Sequence, residues 1–239
     1  CKYSAQQIDD RNNIFGTYFG IGEHRIWVGA PLRVHRRCEN PMFNISNRIA
    51  YDSRMIFGKS EKIGLGQVEK VIGESTWFDI ESEPQKDSHF IRKEAEFLMK
   101  MLNKICKAES AKGQLPSIYI ISPFRSVAHE TFKILNKNRK LWAPTGIKET
   151  DLIVWLNRSI GTIHAFQGKE ADTVFLILGG NISKPGAIIW VCEEPNILNV
   201  ATTRAKNSFY IIGNSKIWNK GVFGLLRTLI PKKVVNIKK

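Results

Sequence analysis

Short runs of β-branched and apolar residues alternate along this chain with longer stretches of helical period. Strands are predicted at Ile26–Val28, Thr76–Ile80, Ile118–Ser122, Ser159–Ile163, Val174–Leu178 and Phe209–Ile212. In several of them the apolar residues are consecutive rather than alternate, as in strands covered on both faces of a parallel sheet. Between them, Ile91, Ala95, Leu98, Leu102 and Ile105 recur at helical spacing within residues 88–106, with Asp87 or Ser88 as the expected N-cap. Val127, Thr131, Phe132 and Leu135 define a second helical face in residues 126–136. The alternation predicts an α/β chain, doubly wound, with a mainly parallel sheet and helices on both faces. Residues 1–25 read as a helical arm without a partner element, and residues 26–239 as one domain. Residues 58–75, rich in Gly and Lys, predict an exposed loop or hairpin.

Composition places this pattern in an ordinary globular chain of 239 residues, 43% hydrophobic and 24% charged. No apolar run approaches the roughly 20 residues that cross a bilayer, and no basic-then-apolar leader is present, so a cytoplasmic setting is expected, or a nuclear one in a eukaryote. Cys1, Cys38, Cys106 and Cys192 are scattered, with no metal-ligand or redox spacing. The net charge of +14 is concentrated. Residues 100–148 carry ten Lys/Arg against two acids, and residues 215–239 carry seven against none. Such stretches are either a solvated face or a footprint for the phosphates of a nucleic acid.

Three local patterns imitate chemistry without its context. Gly58-Lys59-Ser60 ends like a phosphate-binding loop, but Ser53 stands where that loop needs its earlier glycine. Ile188–Val191 followed by Cys192, Glu193 and Glu194 imitates a magnesium-holding strand end, with a cysteine at the first ligand position. Gly64-x-Gly66 has Glu69 in place of the third glycine of a dinucleotide fingerprint. None of the five histidines stands at metal-ligand spacing from another His or Cys, so each is expected to be structural and no metal site is predicted.

Three other segments hold together. Pro195-Asn-Ile-Leu-Asn199-Val-Ala-Thr-Thr-Arg204-Ala-Lys206 predicts a helix with Pro in its first turn, small buried residues at Ala201 and Ala205, and Arg204 near its end. Gly161-Thr162-Ile-His164-Ala-Phe166-Gln167-Gly168-Lys169-Glu170 lies between two apolar strands, a place where open α/β sheets put ligands. Pro31-Leu32-Arg33-Val34-His35-Arg36-Arg37-Cys38 sets four basic residues at the end of a short apolar run.

In this order the three resemble motifs VI, V and IV of the superfamily 1 helicases, in the branch of the nonsense-mediated-decay RNA helicase and the Okazaki-fragment nuclease-helicase. Ile120-Ile-Ser122-Pro123-Phe124 resembles the segment that this branch sets beside the nucleic-acid strand. The resemblance implies a C-terminal RecA-like domain, of the kind that faces ATP and Mg²⁺ held mainly by an N-terminal motor domain, here missing, to which residues 1–25 would connect. It implies that Arg204 and Arg37 act as arginine fingers, and that Glu170, Gln167, Gly168 and Arg36 face the nucleotide. Arg36 stands where an aromatic often stacks on adenine. Ser122, Thr162 and His164 would face single-stranded DNA or RNA. A motor of this kind is an ATP-dependent helicase, and this chain alone, without the phosphate loop, is expected to be inactive. The alternatives are a non-catalytic nucleic-acid-binding module, a Rossmann-type enzyme that would need a glycine fingerprint, and an interaction domain of a defence or repair complex.

Overall fold

A computed structural model of the chain describes residues 8, 10, 12–19, 25–29, 33–60, 63–109, 114–166 and 168–236. The first elements are a ribbon of β1 (Gly16–Phe19) antiparallel to β2 (Ile26–Gly29), and a two-residue parallel pair of β3 (Val34–His35) with β4 (Ile56–Phe57), on either side of α1 (Met42–Ala50). There follow α2 (Gln67–Ile72), β5 (Trp77–Asp79), α3 (Arg92–Glu109), β6 (Ile118–Ser122), α4 (Arg125–Lys137), α5 (Arg139–Trp142) and α6 (Glu149–Ser159). The chain continues through β7 (Ile160–Thr162), a 3₁₀ turn (Ile163–Phe166), β8 (Ala171–Ile177), α7 (Pro185–Glu193), α8 (Pro195–Thr203), β9 (Ala205–Gly213), α9 (Gly221–Leu229) and β10 (Lys232–Val234).

Six of these strands form one all-parallel sheet in the order β10-β5-β9-β8-β6-β7. Helices α3 to α6 connect β5, β6 and β7, and helices α7 to α9 connect β8, β9 and β10. The direction of progress through the sheet reverses between β7 and β8. Right-handed crossovers then require the two helix groups to cover opposite faces. This is the expected doubly wound α/β arrangement. The central strands are apolar on consecutive residues because both faces are covered: Val174 to Ile177 and Phe209 to Ile212 are all buried.

Several expectations need correction. Ile26–Val28 does form a strand, but in the β1–β2 ribbon outside the sheet. Gly16–Phe19 is a strand within the segment read as a helical arm, and most of residues 1–25 lies outside the described residues. Residues 58–75 are not simply a loop. Helix α2 buries Val68 and Glu69, and the Glu69 carboxylate accepts a hydrogen bond from the Gly66 N–H at 2.7 Å, closing the helix start. Neither Asp87 nor Ser88 caps α3. Asp87 has a φ of 59°, and the Ser88 hydroxyl accepts from the Phe90 N–H instead. Ala205 is buried as expected, but in β9 rather than on the helix. Strand β10 is exposed at all three positions and carries two lysines on a sheet edge, a composition that carries no strand signal and suits an edge. Ile188–Val191 is helical, in α7.

One buried acid ties the α3 layer to the sheet. Glu94, in the first turn of α3, is wholly buried and accepts the Gly179 N–H at 2.8 Å just beyond β8, while its other oxygen has no partner among the described residues. Burial pushes its pKa up to about 8, the Gly179 bond opposing. The folded state therefore keeps a proton that the unfolded chain releases, and stability is lost as pH rises from the ordinary carboxylate range through about 8. Between pH 7 and 8 the loss is about 1 kcal/mol, or roughly 2–4 °C in melting temperature. Glu94→Gln is expected to flatten that slope in thermal melts. An unchanged slope in the variant would show that Glu94 is not its source.

Candidate nucleotide and strand interface

Helix α8 starts with Pro195 at its first position, where no backbone donor is needed, and buries Leu198 and Ala201. The Thr202 and Thr203 hydroxyls donate back to the carbonyls of Leu198 and Asn199, both at 2.8 Å. Asn199 in turn accepts from the Ser46 hydroxyl at 2.6 Å, fastening α1 to α8. Arg204 follows as the C-cap, only 7% exposed, between the helix and the start of β9. Its guanidinium donates to the Lys169 carbonyl at 3.0 Å and the Val200 carbonyl at 3.3 Å. It is a held group, and among the described residues only part of its donor fork is used.

Arg37 and Glu170 join it from distant parts of the sequence. The N-terminal ends of β8 and β9 lie side by side, with Ala171 opposite Ala205, so Glu170 and Arg204 flank one edge of the sheet. The segment after β3 is docked there by the Glu39 N–H, which donates to the Lys206 carbonyl at 3.0 Å. Arg37 Nε then pairs with one Glu170 oxygen at 2.7 Å, and Lys206 Nζ with the other at 3.3 Å. Three cations thus surround one carboxylate. Burial first, and the charge of Arg37 second, pull the Arg204 pKa down, while Glu170 and Tyr119 act the other way. Like charge held this close in a part-buried site favours an anion between the guanidiniums, such as phosphoryl oxygens.

The other predicted residues fall as follows. Arg36 is exposed over Gly58; a Cβ there would stand 3.2 Å from Arg36 Cγ and 2.3 Å from Val34 Cγ1. The Gly58 of the false phosphate loop is therefore a packing glycine, and its neighbour Lys59 pairs with Glu39. Gly168 is exposed with a φ of +82°, a conformation that suits glycine. Gln167 lies outside the described residues. His35 is occupied locally, its Nε2 accepting from the Cys38 N–H at 3.2 Å. Burial, then Arg37 and Lys59, lower its pKa. Among the described residues no group of three or more His, Cys, Asp or Glu could hold a metal ion.

Ser122 and Thr162 are cross-strand partners at the C-terminal ends of β6 and β7. Ser122 is 2% exposed, and its hydroxyl accepts from the Phe124 N–H at 3.2 Å. Thr162 is half-buried and His164 exposed, so these two are the more open to a strand. The connection from Thr162 to Glu170 links this edge to the opposite one. Its Phe166 is buried against Tyr119 of β6 with ring centroids 4.4 Å apart, and Lys169 Nζ lies 5.8 Å from the Phe166 ring centroid. Sequence reading missed Lys206 as a partner of Glu170 and the Lys169 carbonyl as a holder of Arg204. Lys206 stood in the motif two positions after Arg204, as its next basic residue; a backbone carbonyl leaves no signal.

Comparison with known proteins adds the following. A family model described as AAA domain matches residues 24–216. The chain is 28% identical over 192 residues to Helicase sen1 of Schizosaccharomyces pombe (strain 972 / ATCC 24843), covering 77% of this chain and 10% of that protein. It is 29% identical over 127 residues to Regulator of nonsense transcripts 1 of Dictyostelium discoideum, covering 53% of this chain and 8% of that protein. The chain thus spans a tenth or less of the length of these relatives. The C-terminal domain of a possible DNA helicase from Lactobacillus plantarum WCFS1 superposes over 82% of this chain and 97% of its own, at 10% identity and a TM-score of 0.45, a likeness too slight to carry weight.

Proposed function

Since the chain belongs to the AAA domain family, as a C-terminal RecA-like domain of the superfamily 1 helicases, we propose that it supplies the arginine fingers and part of the single-strand track of an ATP-dependent helicase or translocase. The observation that carries this reading is the meeting of Arg204, Arg37 and Glu170 at one sheet edge with an excess of positive charge. The Lys169 and Val200 carbonyls hold Arg204 in place, and the like charge of Arg37 beside it leaves a position that suits an anion, which favours the catalytic reading over a binding module alone.

In this reading Arg204 and Arg37 stabilise the charge that builds on the oxygens of the transferring phosphoryl group. Glu170 accepts hydrogen bonds from the ribose hydroxyls, since two carboxylate oxygens keep acceptor capacity beside their cations. Arg36 lies over the adenine, where a guanidinium plane can stack. Gly168 and Gln167 shape the turn that leads to Glu170. The finger site does not fit a magnesium ion, because its Glu170 carboxylate already holds Arg37 and Lys206. That ion and the phosphate loop belong to an N-terminal motor domain, which residues 1–25 would join to a second motor domain at 26–239. Thr162, His164 and the neighbouring Ser122 face single-stranded DNA or RNA, in the cytoplasm or the nucleus.

The strand half is testable on this chain. Fluorescence titration with a short labelled oligothymidylate should give binding that is indifferent to sequence and steeply dependent on salt. With about 0.7 in log-log slope for each phosphate contact, three contacts weaken affinity roughly 20-fold between 50 and 200 mM salt. Affinity flat across that range would remove the strand from this domain.

A further inference from the structure

Away from the fingers, three of the ten basic residues of residues 100–148 line one cleft together with Arg92. It lies between α3 and α4, has a volume of about 480 Å³, and is lined by Arg92, Lys100, Lys133 and Lys137 among others. Both acids in its wall are already matched, Glu96 with Arg92 at 4.0 Å and Glu130 with Lys133 at 2.8 Å. Lys100 and Lys137 are exposed, and neither has an ion-pair partner among the described residues. The cleft therefore presents net positive charge over an apolar floor that includes Met99 and Ile134.

Its direction follows from the fold. Helices α3 and α4 follow the parallel strands β5 and β6, so both begin at the C-terminal edge of the sheet and run back along it side by side. The rings of His89 and Phe124, just before the two helices, stack with centroids 4.1 Å apart and hold the helix starts together. Arg92, the first residue of α3, lines the end of the cleft nearer the edge that carries Ser122 and Thr162. The stretches that line it, Arg92 to Lys100 on α3 and Glu130 to Asn138 from α4, each rise about 12 Å, at 1.5 Å per residue. That length accommodates about three to four phosphates at 3.4 Å of axis per strand.

We propose that this cleft is a second phosphate-backbone site, which takes up a nucleic acid where it leaves the β6–β7 edge; the proposal rests on the strand reading above. A concave run of lysines fits a rod-like polyanion, whereas a bilayer surface meets a flat or convex face. Contacts of this kind bind backbone without reading bases.

The test compares the chain with its Lys100→Gln, Lys133→Gln, Lys137→Gln triple variant, all three changes being at exposed side chains, with thermal melts to confirm the fold. Each is titrated with labelled oligothymidylates of 8 and 30 nucleotides and with anionic phosphatidylserine vesicles, across 50 to 200 mM salt. The short strand fills the sheet edge and the long one reaches the cleft. The expected result is a salt slope for the long strand that is shallower by about 2 in the variant, for three lost contacts at 0.7 each, with the short strand within about twofold of the parent. An unchanged long-strand slope, or an equal loss for both lengths, overturns the cleft and leaves the edge site standing. No binding of either length by the parent chain overturns the strand reading and the cleft with it. Binding of vesicles but not of the long strand assigns the lysines to a lipid surface and overturns the proposal.

Discussion

Arg204→Ala, in a protein that carries both motor domains, is expected to slow nucleotide hydrolysis about 10³-fold, within the range for a lost arginine finger. The affinity for ATP should change far less, because the charge that Arg204 meets is greatest in the transition state. Arg204→Lys should not restore the rate: an ammonium lacks the planar fork that spans two oxygens, and it cannot also keep the contacts to the Lys169 and Val200 carbonyls. Arg37→Ala should behave alike. The double variant should lose less than the product of the two single losses if both groups act on one phosphoryl group. Arg36→Ala should weaken nucleotide binding without an equal loss of turnover. Steady-state kinetics with saturating nucleic acid, beside a melt that confirms folding, checks each of these. Near-normal turnover in folded Arg204→Ala protein would leave Arg204 with only a structural part, fastening the Lys169 turn to α8.

By itself the 239-residue chain is expected to turn over no ATP above background. The reason is chemical. An arginine finger stabilises charge on a phosphoryl group that something else must grip and orient, and the sequence contains no glycine-rich phosphate loop. The site around Arg204 is cationic, and its Glu170 carboxylate is already held by Arg37 and Lys206 rather than free to hold a metal or activate a water. A phosphate-release assay on the purified chain, with and without single strands, measures this. Turnover that survives further purification and disappears in Arg204→Ala would overturn it.

The central strands were legible because burial on both faces leaves a compositional trace. Ile118–Ser122 is a strand to the residue, and the run at Phe209–Ile212 lies within β9. Where burial is partial the trace weakens. Ile26–Val28 has the content of a strand, but its pattern of exposure is that of a small ribbon rather than of a sheet centre. Lys232–Val234 has almost no apolar content and becomes a strand only because Trp77 and its neighbours offer an open edge. At α3 the local signal misled: Asp87 and Ser88 both favour a cap, yet the chain uses them in the turn before the helix. The start of α2, by contrast, was written in Gly66 and Glu69, and was masked by the glycines around it.

The site divides in the same way. The residue strings around Arg37, Glu170 and Arg204 named the groups with chemistry, because short motifs constrain side-chain type at fixed local spacing. That these groups meet followed only from the family resemblance and not from the strings themselves, since it depends on pairings between segments far apart in the chain. The order β9-β8-β6-β7 and the Ala171–Ala205 register bring Glu170 beside Arg204, and the Glu39–Lys206 backbone bond brings Arg37 to both. Lys206 acquires its carboxylate partner in the same step. Local pattern thus determined the α/β alternation and the candidate residues, because helix and strand periods are properties of neighbouring positions. The charge balance around Arg37, Glu170 and Arg204 and the shape of the lysine cleft were decided by tertiary packing, because electrostatic energy depends on distance and burial, neither of which is written in sequence order.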